Sequence, residues 1–133
     1  IPPQDVGRFA HEERKRHGYD IWARRIVPLV EEGDTLIDGC RGMSEVNVFR
    51  QAFGEHVKVL AVHSAPYTRY PRLVSRGRSD APQSREEFDE RDQRELSWGL
   101  GDTIALADAL IVNEDSLKNF KKDAKALLRE LKG

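Results

Sequence analysis

The sequence predicts an α/β domain, and three observations carry that reading. Short apolar runs rich in β-branched residues recur too briefly for helices, helical periodicity fills the intervals between them, and 133 residues make one ordinary domain. The runs are Thr35-Leu36-Ile37-Asp38, Val57 to His63, and Ala109-Leu110-Ile111-Val112. Lacking strict polar alternation, they suit strands covered on both faces, the habit of a parallel sheet. Such a sheet has right-handed crossovers and collects ligand chemistry at the carboxyl ends of its strands.

In chain order, Pro3 to Arg16 and Tyr19 to Glu32 read as two helices separated at Gly18, with Pro28 kinking the second. The second carries Ile21, Trp22, Arg25, Ile26 and Leu29 at helical intervals. After the first strand, Val46, Phe49, Arg50 and Phe53 keep helical spacing from a Ser44 start to a stop at Gly54. Beyond His63, Pro71 predicts a helix starting near Thr68, which leaves the proline in a first turn that needs no amide donor, and ending by Gly77. Ser84-Arg-Glu-Glu87 is a capping-box pattern. The helix it opens is charged at nine of the thirteen positions from Ser84 to Leu96, with Phe88 and Leu96 as its large apolar anchors, and so predicts an exposed arm. Ser97 to Asp102 reads as a turn around Gly99 and Gly101. Ser116 caps a last helix striped by Leu117, Phe120, Ala124, Leu127 and Leu131. The whole is one domain, 1–133, with a lid and arm region at about 65–96.

Composition removes several classes of function. The 22 basic and 23 acidic residues nearly cancel, so neither a nucleic acid nor a membrane surface is an expected partner of the whole molecule. Cys40 is the single cysteine, which excludes an internal disulfide and a cysteine zinc site; a cytoplasmic setting is expected. No run has the length and apolarity of a signal peptide or a spanning helix.

Two groups of residues point to chemistry. Asp38 closes the first strand and Gly39, Cys40 and Arg41 follow, placing a carboxylate and a guanidinium at a strand end. There Asp38 can hold a magnesium-bound water or orient a nucleophile, and Arg41 can fork onto phosphate oxygens; the plain alternative is a helix cap and a solvated arginine. Between Arg69 and Arg94 stand seven arginines (69, 72, 76, 78, 85, 91, 94), and no lysine occurs from Val59 to Leu117. Arg69, Arg72 and Arg76 share a helical face, and arginine is preferred to lysine where bidentate anion contact matters. Residues 69–85 carry a local charge of +4 and residues 86–95 one of −4, so pairing along exposed helices is the competing reading. Arg76-Gly-Arg78 favours a mobile flap closing over phosphates. His63 reads as a hydrogen-bonded strand terminus, with substrate contact as the alternative, His11, His17 and His56 as surface residues, and Trp22 and Trp98 as packing residues. Cys40, beside Asp38 and Arg41, is a candidate for a depressed thiol pKa, without the His or Asn signature of a nucleophile.

Taken together, Leu36-Ile-Asp-Gly-Cys-Arg41, Glu45 to Phe53, Leu60-Ala-Val-His-Ser64, Arg69 to Asp80, Phe88 to Leu96 and Ala107-Asp-Ala-Leu-Ile-Val-Asn113 resemble the archaeal P-loop proteins related to dephospho-CoA kinase and adenylate kinase. The resemblance covers almost the whole chain. It implies a nucleotide-kinase-like three-layer P-loop fold around a parallel sheet, with ATP and Mg2+ as cofactors and a small nucleotide or coenzyme precursor as acceptor. By it Asp38 sits near magnesium, or acts as a general base. Arg41 binds the acceptor phosphate, Arg76 and Arg78 belong to a lid over the donor phosphates, Arg91 and Arg94 follow on the arm toward the substrate, and Asn113 approaches the base by its backbone. Asp38-Gly39-x-Arg41 departs from the family's Asp-Gly-x-x-Arg in bringing the arginine one residue sooner.

These kinases begin with a strand, the loop G-x-x-x-x-G-K-[ST] and its helix, whereas this chain has no Gly-Lys, Lys-Ser or Lys-Thr dipeptide. Ile1-Pro2-Pro3 matches an interior region of the family, so the resemblance implies an incomplete fold: catalytically inert as it stands, open in the middle of its sheet, and prone to dimerise or rearrange. The alternative is a non-catalytic module whose arginine flap binds a phosphorylated ligand or an acidic partner. An RNA-associated role is weaker, because the −4 stretch cancels the +4 stretch over about one Debye length.

Overall fold

The computed structural model describes residues 5–132. They form an α/β arrangement: α1 (Val6–His17), α2 (Ile21–Ile26), α3 (Met43–Phe53), β1 (Leu60–His63), α4 (Pro66–Arg76), α5 (Arg85–Ser97), α6 (Leu100–Ala105), β2 (Ala109–Val112) and α7 (Leu117–Lys132). The two strands pair in parallel, Leu60 opposite Ala109 and His63 opposite Val112, and α4, α5 and α6 make the crossover between them. Ala61 and Ile111 from the sheet, Ile21 and Ala23 from α2, Val46 and Phe49 from α3, Phe88 from α5 and Trp98 supply the buried apolar side chains.

Thr35–Asp38 is not a strand. It runs without regular structure, and Leu36 is 82% exposed. Its composition suits a strand, but among the described residues no strand lies beside it, and a ladder forms only where N–H and C=O groups find partners. The second strand is shorter than its apolar run, Val57 to Val59 leading in without regular structure, although the Val59 carbonyl still accepts the amides of Asp108 and Ala109. Nor are both faces fully covered: Val62, Leu110 and Val112 are exposed.

The helices follow local chemistry with informative departures. Of the helix read from Pro3, residues 3 and 4 lie outside the described residues, and α1 starts at Val6. α2 stops at Ile26, where Val27–Leu29 tighten into a 3₁₀ turn around Pro28, so the helix read to Glu32 ends early. α3 begins at Met43, one residue before Ser44, because the Glu45 carboxylate accepts the Gly42 amide and anchors the first turn. α4 starts at Pro66 rather than near Thr68, leaving Pro71 inside the helix. That earlier start is fixed from outside: the Glu114 carboxylate accepts both the Ala65 amide and the Thr68 hydroxyl. Pro66 suits a first helical position, where its missing N–H costs nothing.

α5 opens as read, the Ser84 hydroxyl accepting the Glu87 amide at 3.1 Å. It is not an exposed arm. Phe88 is 2% exposed and meets the Tyr70 ring of α4 at 5.2 Å between centroids, while Leu96 remains exposed. The stretch read as a turn after Ser97 becomes the short helix α6, introduced by Gly99 at φ 92°. At the other end Ser116 caps α7 as read, its hydroxyl accepting the Asn119 amide at 3.1 Å.

Candidate functional site

The carboxyl ends of the two strands are tied together by arginine. The Asn113 amide donates to the His63 carbonyl at 2.6 Å, just past the ladder. Arg69 Nε donates to the Ser64 carbonyl at 2.8 Å while its two Nη atoms hold the Asp92 carboxylate at 2.7 and 2.8 Å. One helical turn on, Arg72 donates to the carbonyls of Asn113 at 2.7 Å and Asp115 at 3.2 Å. Two of the three arginines on the shared face of α4 therefore fasten the crossover to both strand ends. Hydrogen bonding from Thr68 and the Ala65 amide holds the Glu114 carboxyl below its usual pKa.

Arg76 and Arg78 are different. Arg76 ends α4, Gly77 turns the chain in the left-handed region at φ 61°, and both guanidiniums are exposed, with no acceptor among the described residues. Arg91 is engaged, donating to the Asp80 carbonyl and the Glu87 carboxylate at 2.6 Å each. Arg94 lies over Trp98, 5.9 Å from the ring centroid.

The Asp38–Arg41 loop is pinned by its second half. Arg41 Nε donates to Glu95 at 3.0 Å, its amide donates to Glu45 at 3.0 Å, and its carbonyl accepts from the Thr103 hydroxyl. Gly42 is required here, because a Cβ at that position would collide with the Trp98 carbonyl oxygen. Arg41 and the arginine-rich α5 are thus in contact, through a carboxylate. Asp38, in the loop's first half, is exposed, with no hydrogen-bond partner among the described residues.

Asp38 lines a hollow of about 460 Å³ between α1, α2, α3 and the loop, with Phe9, Trp22, Ile26 and Phe49 among its walls. Arg14 lines it too. None of Arg41, Arg76, Arg78, Arg91, Arg94 or Asn113 does so, and the structure does not gather them with Asp38 into this hollow. Cys40, on the same wall, has a thiol pKa raised to about 11, chiefly by burial and then by the Glu45 charge, which corrects the expectation of a depressed value.

Beneath the loop lies a charged group that the sequence reading missed. Arg14 and Glu45 are both buried, with Nη2 3.7 Å from Oε1, and the Arg14 guanidinium stacks on Trp98 at 3.9 Å. Trp98 Nε1 donates to His11 Nδ1 at 2.7 Å, so His11 is a partner in this cluster and not a free surface residue. Glu45 was findable as the third residue of a helix that starts after Gly42. Arg14 was not, because it sits in the run Glu12-Glu13-Arg14-Lys15-Arg16, where nothing marks one cation as buried.

Among the described residues no group of three or more His, Cys, Asp or Glu is placed to hold a metal, and no helix is long and apolar enough to cross a membrane.

No family model matches the chain. It is 43% identical over 127 residues to a UPF0200 protein of Thermoplasma acidophilum, covering 95% of this chain and 70% of that one. A UPF0200 protein of Thermoplasma volcanium is 44% identical over 131 residues, 96% of this chain and 73% of that protein. One from Pyrococcus abyssi is 48% identical over 111 residues, 82% of this chain and 59% of the relative.

Proposed function

The chain belongs to the UPF0200 family, and from its own residues we propose that it is a nucleotide-kinase-like phosphotransferase domain, moving the terminal phosphoryl group of ATP to a small nucleotide or coenzyme precursor. One observation carries the reading. A parallel strand pair has its carboxyl ends clamped by Arg69 and Arg72 of the crossover helix, and that helix ends at Arg76, with Arg78 just past a left-handed glycine, two guanidiniums with no acceptor among the described residues. Arginines held at the sheet and exposed ones flanking a glycine suit charge stabilisation around a moving phosphoryl group.

Taken singly, three residues suit parts of the expected nucleotide site. The exposed carboxylate of Asp38 suits contact with a hydrated magnesium ion, and Arg76 and Arg78 suit phosphate oxygens. The Gly-rich loop that would supply amides, a lysine and a hydroxyl is not in these 133 residues. Bound ATP would supply the phosphoryl group; Asp38 would orient the acceptor, and Arg76 and Arg78 would close over the phosphates and exclude water. Arg41, held by Glu95, acts on the acceptor phosphate in this reading only after exchanging partners.

A non-catalytic phosphate-binding module is the second reading, resting on the exposed Arg76 and Arg78, because Arg69, Arg72, Arg85 and Arg91 are engaged with protein acceptors. Arg76→Ala with Arg78→Ala separates the two. Loss of ATP turnover in an active, upstream-extended chain supports the kinase; loss of phosphate-ester binding by a chain that shows no turnover even when extended supports the module.

A further inference from the structure

Two donors of Arg14, Nε and Nη1, are buried without a hydrogen-bond partner among the described residues. Native interiors rarely leave a cation's donors unanswered, because each forfeits its water without compensation. The nearest carboxylate does not answer them: Glu45 Oε1 is 3.7 Å from Nη2 and already accepts the Arg41 and Gly42 amides. Burial depresses the Arg14 pKa, yet a guanidinium is so strongly basic that the group stays a cation. The same side chain lines the hollow whose other walls include Phe9, Trp22, Ile26 and Phe49.

We propose that this hollow binds a small organic anion with an aromatic or branched apolar body, its carboxylate or phosphate held by Arg14. The volume of about 460 Å³ is that of a small-molecule site, and apolar walls with one charged anchor are the usual lining. To reach the ligand the guanidinium turns off Trp98, exchanging a stacking contact for charge-assisted hydrogen bonds. The two acidic residues on the lining do not compete for that role. Glu45 is committed to backbone amides, and Asp38 is exposed, able to accept a hydroxyl or amine of the same ligand. That the ligand is also the phosphoryl acceptor rests on the phosphotransferase reading; that it binds does not.

The test titrates the 133-residue chain, without ATP, with phenyl phosphate, phenylacetate, inorganic phosphate and neutral benzyl alcohol, followed by calorimetry and by tryptophan fluorescence. Phenyl phosphate or phenylacetate is expected to saturate the chain, the tighter of the two identifying the anion, with inorganic phosphate and benzyl alcohol each about tenfold weaker or worse. Arg14→Gln should weaken the aromatic anion about tenfold or more, and Arg14→Lys less. If Arg14→Gln fails to fold, Phe9→Ala, at a half-exposed wall position, should still weaken it severalfold. Equal affinity for benzyl alcohol, no saturable binding of either aromatic anion, or binding indifferent to both Arg14→Gln and Phe9→Ala overturns the proposal. Binding without turnover in an extended chain counts against the phosphotransferase reading alone, and turnover without binding counts against this site alone.

Discussion

Arg69 and Asp92 face each other fork to fork, Nη1 on Oδ1 at 2.7 Å and Nη2 on Oδ2 at 2.8 Å, so that the crossover helix leaving β1 is bolted to the helix after it. An arginine that the sequence offers to phosphate is already answered by protein. That hydrogen bonding is also the first cause of the raised Arg69 pKa.

Removing the fork should loosen α5 rather than a ligand. Arg69→Ala is expected to cost about 1–3 kcal/mol, toward the lower end because the pair is partly exposed to water, and a double-mutant cycle with Asp92→Ala should return a favourable coupling. Urea unfolding of the four variants measures it, and additive losses would show that the fork contributes no coupling.

Phe88 gives the sharper test of whether α5 is an arm or part of the core. Phe88→Ala should destabilise by about 3–5 kcal/mol, while Leu96→Ala, at a position 48% exposed, should cost less than about 1 kcal/mol. Similar small losses at both positions in thermal unfolding would restore the arm.

The Trp98–His11 hydrogen bond needs an unprotonated Nδ1, and burial, followed by the Lys15 charge, lowers the His11 pKa from 6.5. A base whose folded pKa is depressed binds protons more readily when unfolded. Its contribution is therefore complete above about pH 6.5 and is lost as pH falls through the folded value. Melting temperatures from about pH 8 to about pH 5 should fall less steeply in His11→Gln than in the parent; parallel curves would remove His11 from the pH dependence.

With its pKa at about 11 instead of 9.0, the Cys40 thiol carries on the order of a hundredfold less thiolate than an ordinary cysteine at neutral pH. Alkylation should be slow in buffer and rise sharply in denaturant. Equal rates in both would contradict the half-buried placement.

The sequence made the helices legible where a local device sets their limits: Ser84 and Ser116 cap as their hydroxyls allow, and Gly54 and Gly77 stop α3 and α4. It misled where a distant partner decides. Thr35–Asp38 has strand composition but no neighbouring strand, and α4 starts early because Glu114, beyond β2, caps it. Of the candidate site, the sequence showed where the arginines cluster but not which are engaged: Arg76 and Arg78 are exposed, with no acceptor among the described residues, whereas Arg69, Arg72 and Arg91 found acceptors that only the tertiary fold brings near. Arg14 was illegible because burial of one cation within a charged run depends on Trp98, 84 positions along the chain.

ATP turnover with magnesium, measured in the 133-residue chain and in a chain extended upstream to the length of its relatives, bears most directly on the phosphotransferase assignment. Turnover is expected only in the extended chain, falling about a hundredfold or more when Arg76 and Arg78 are both replaced by alanine. An extended chain that transfers no phosphoryl group, or one indifferent to the loss of both arginines, would contradict the assignment.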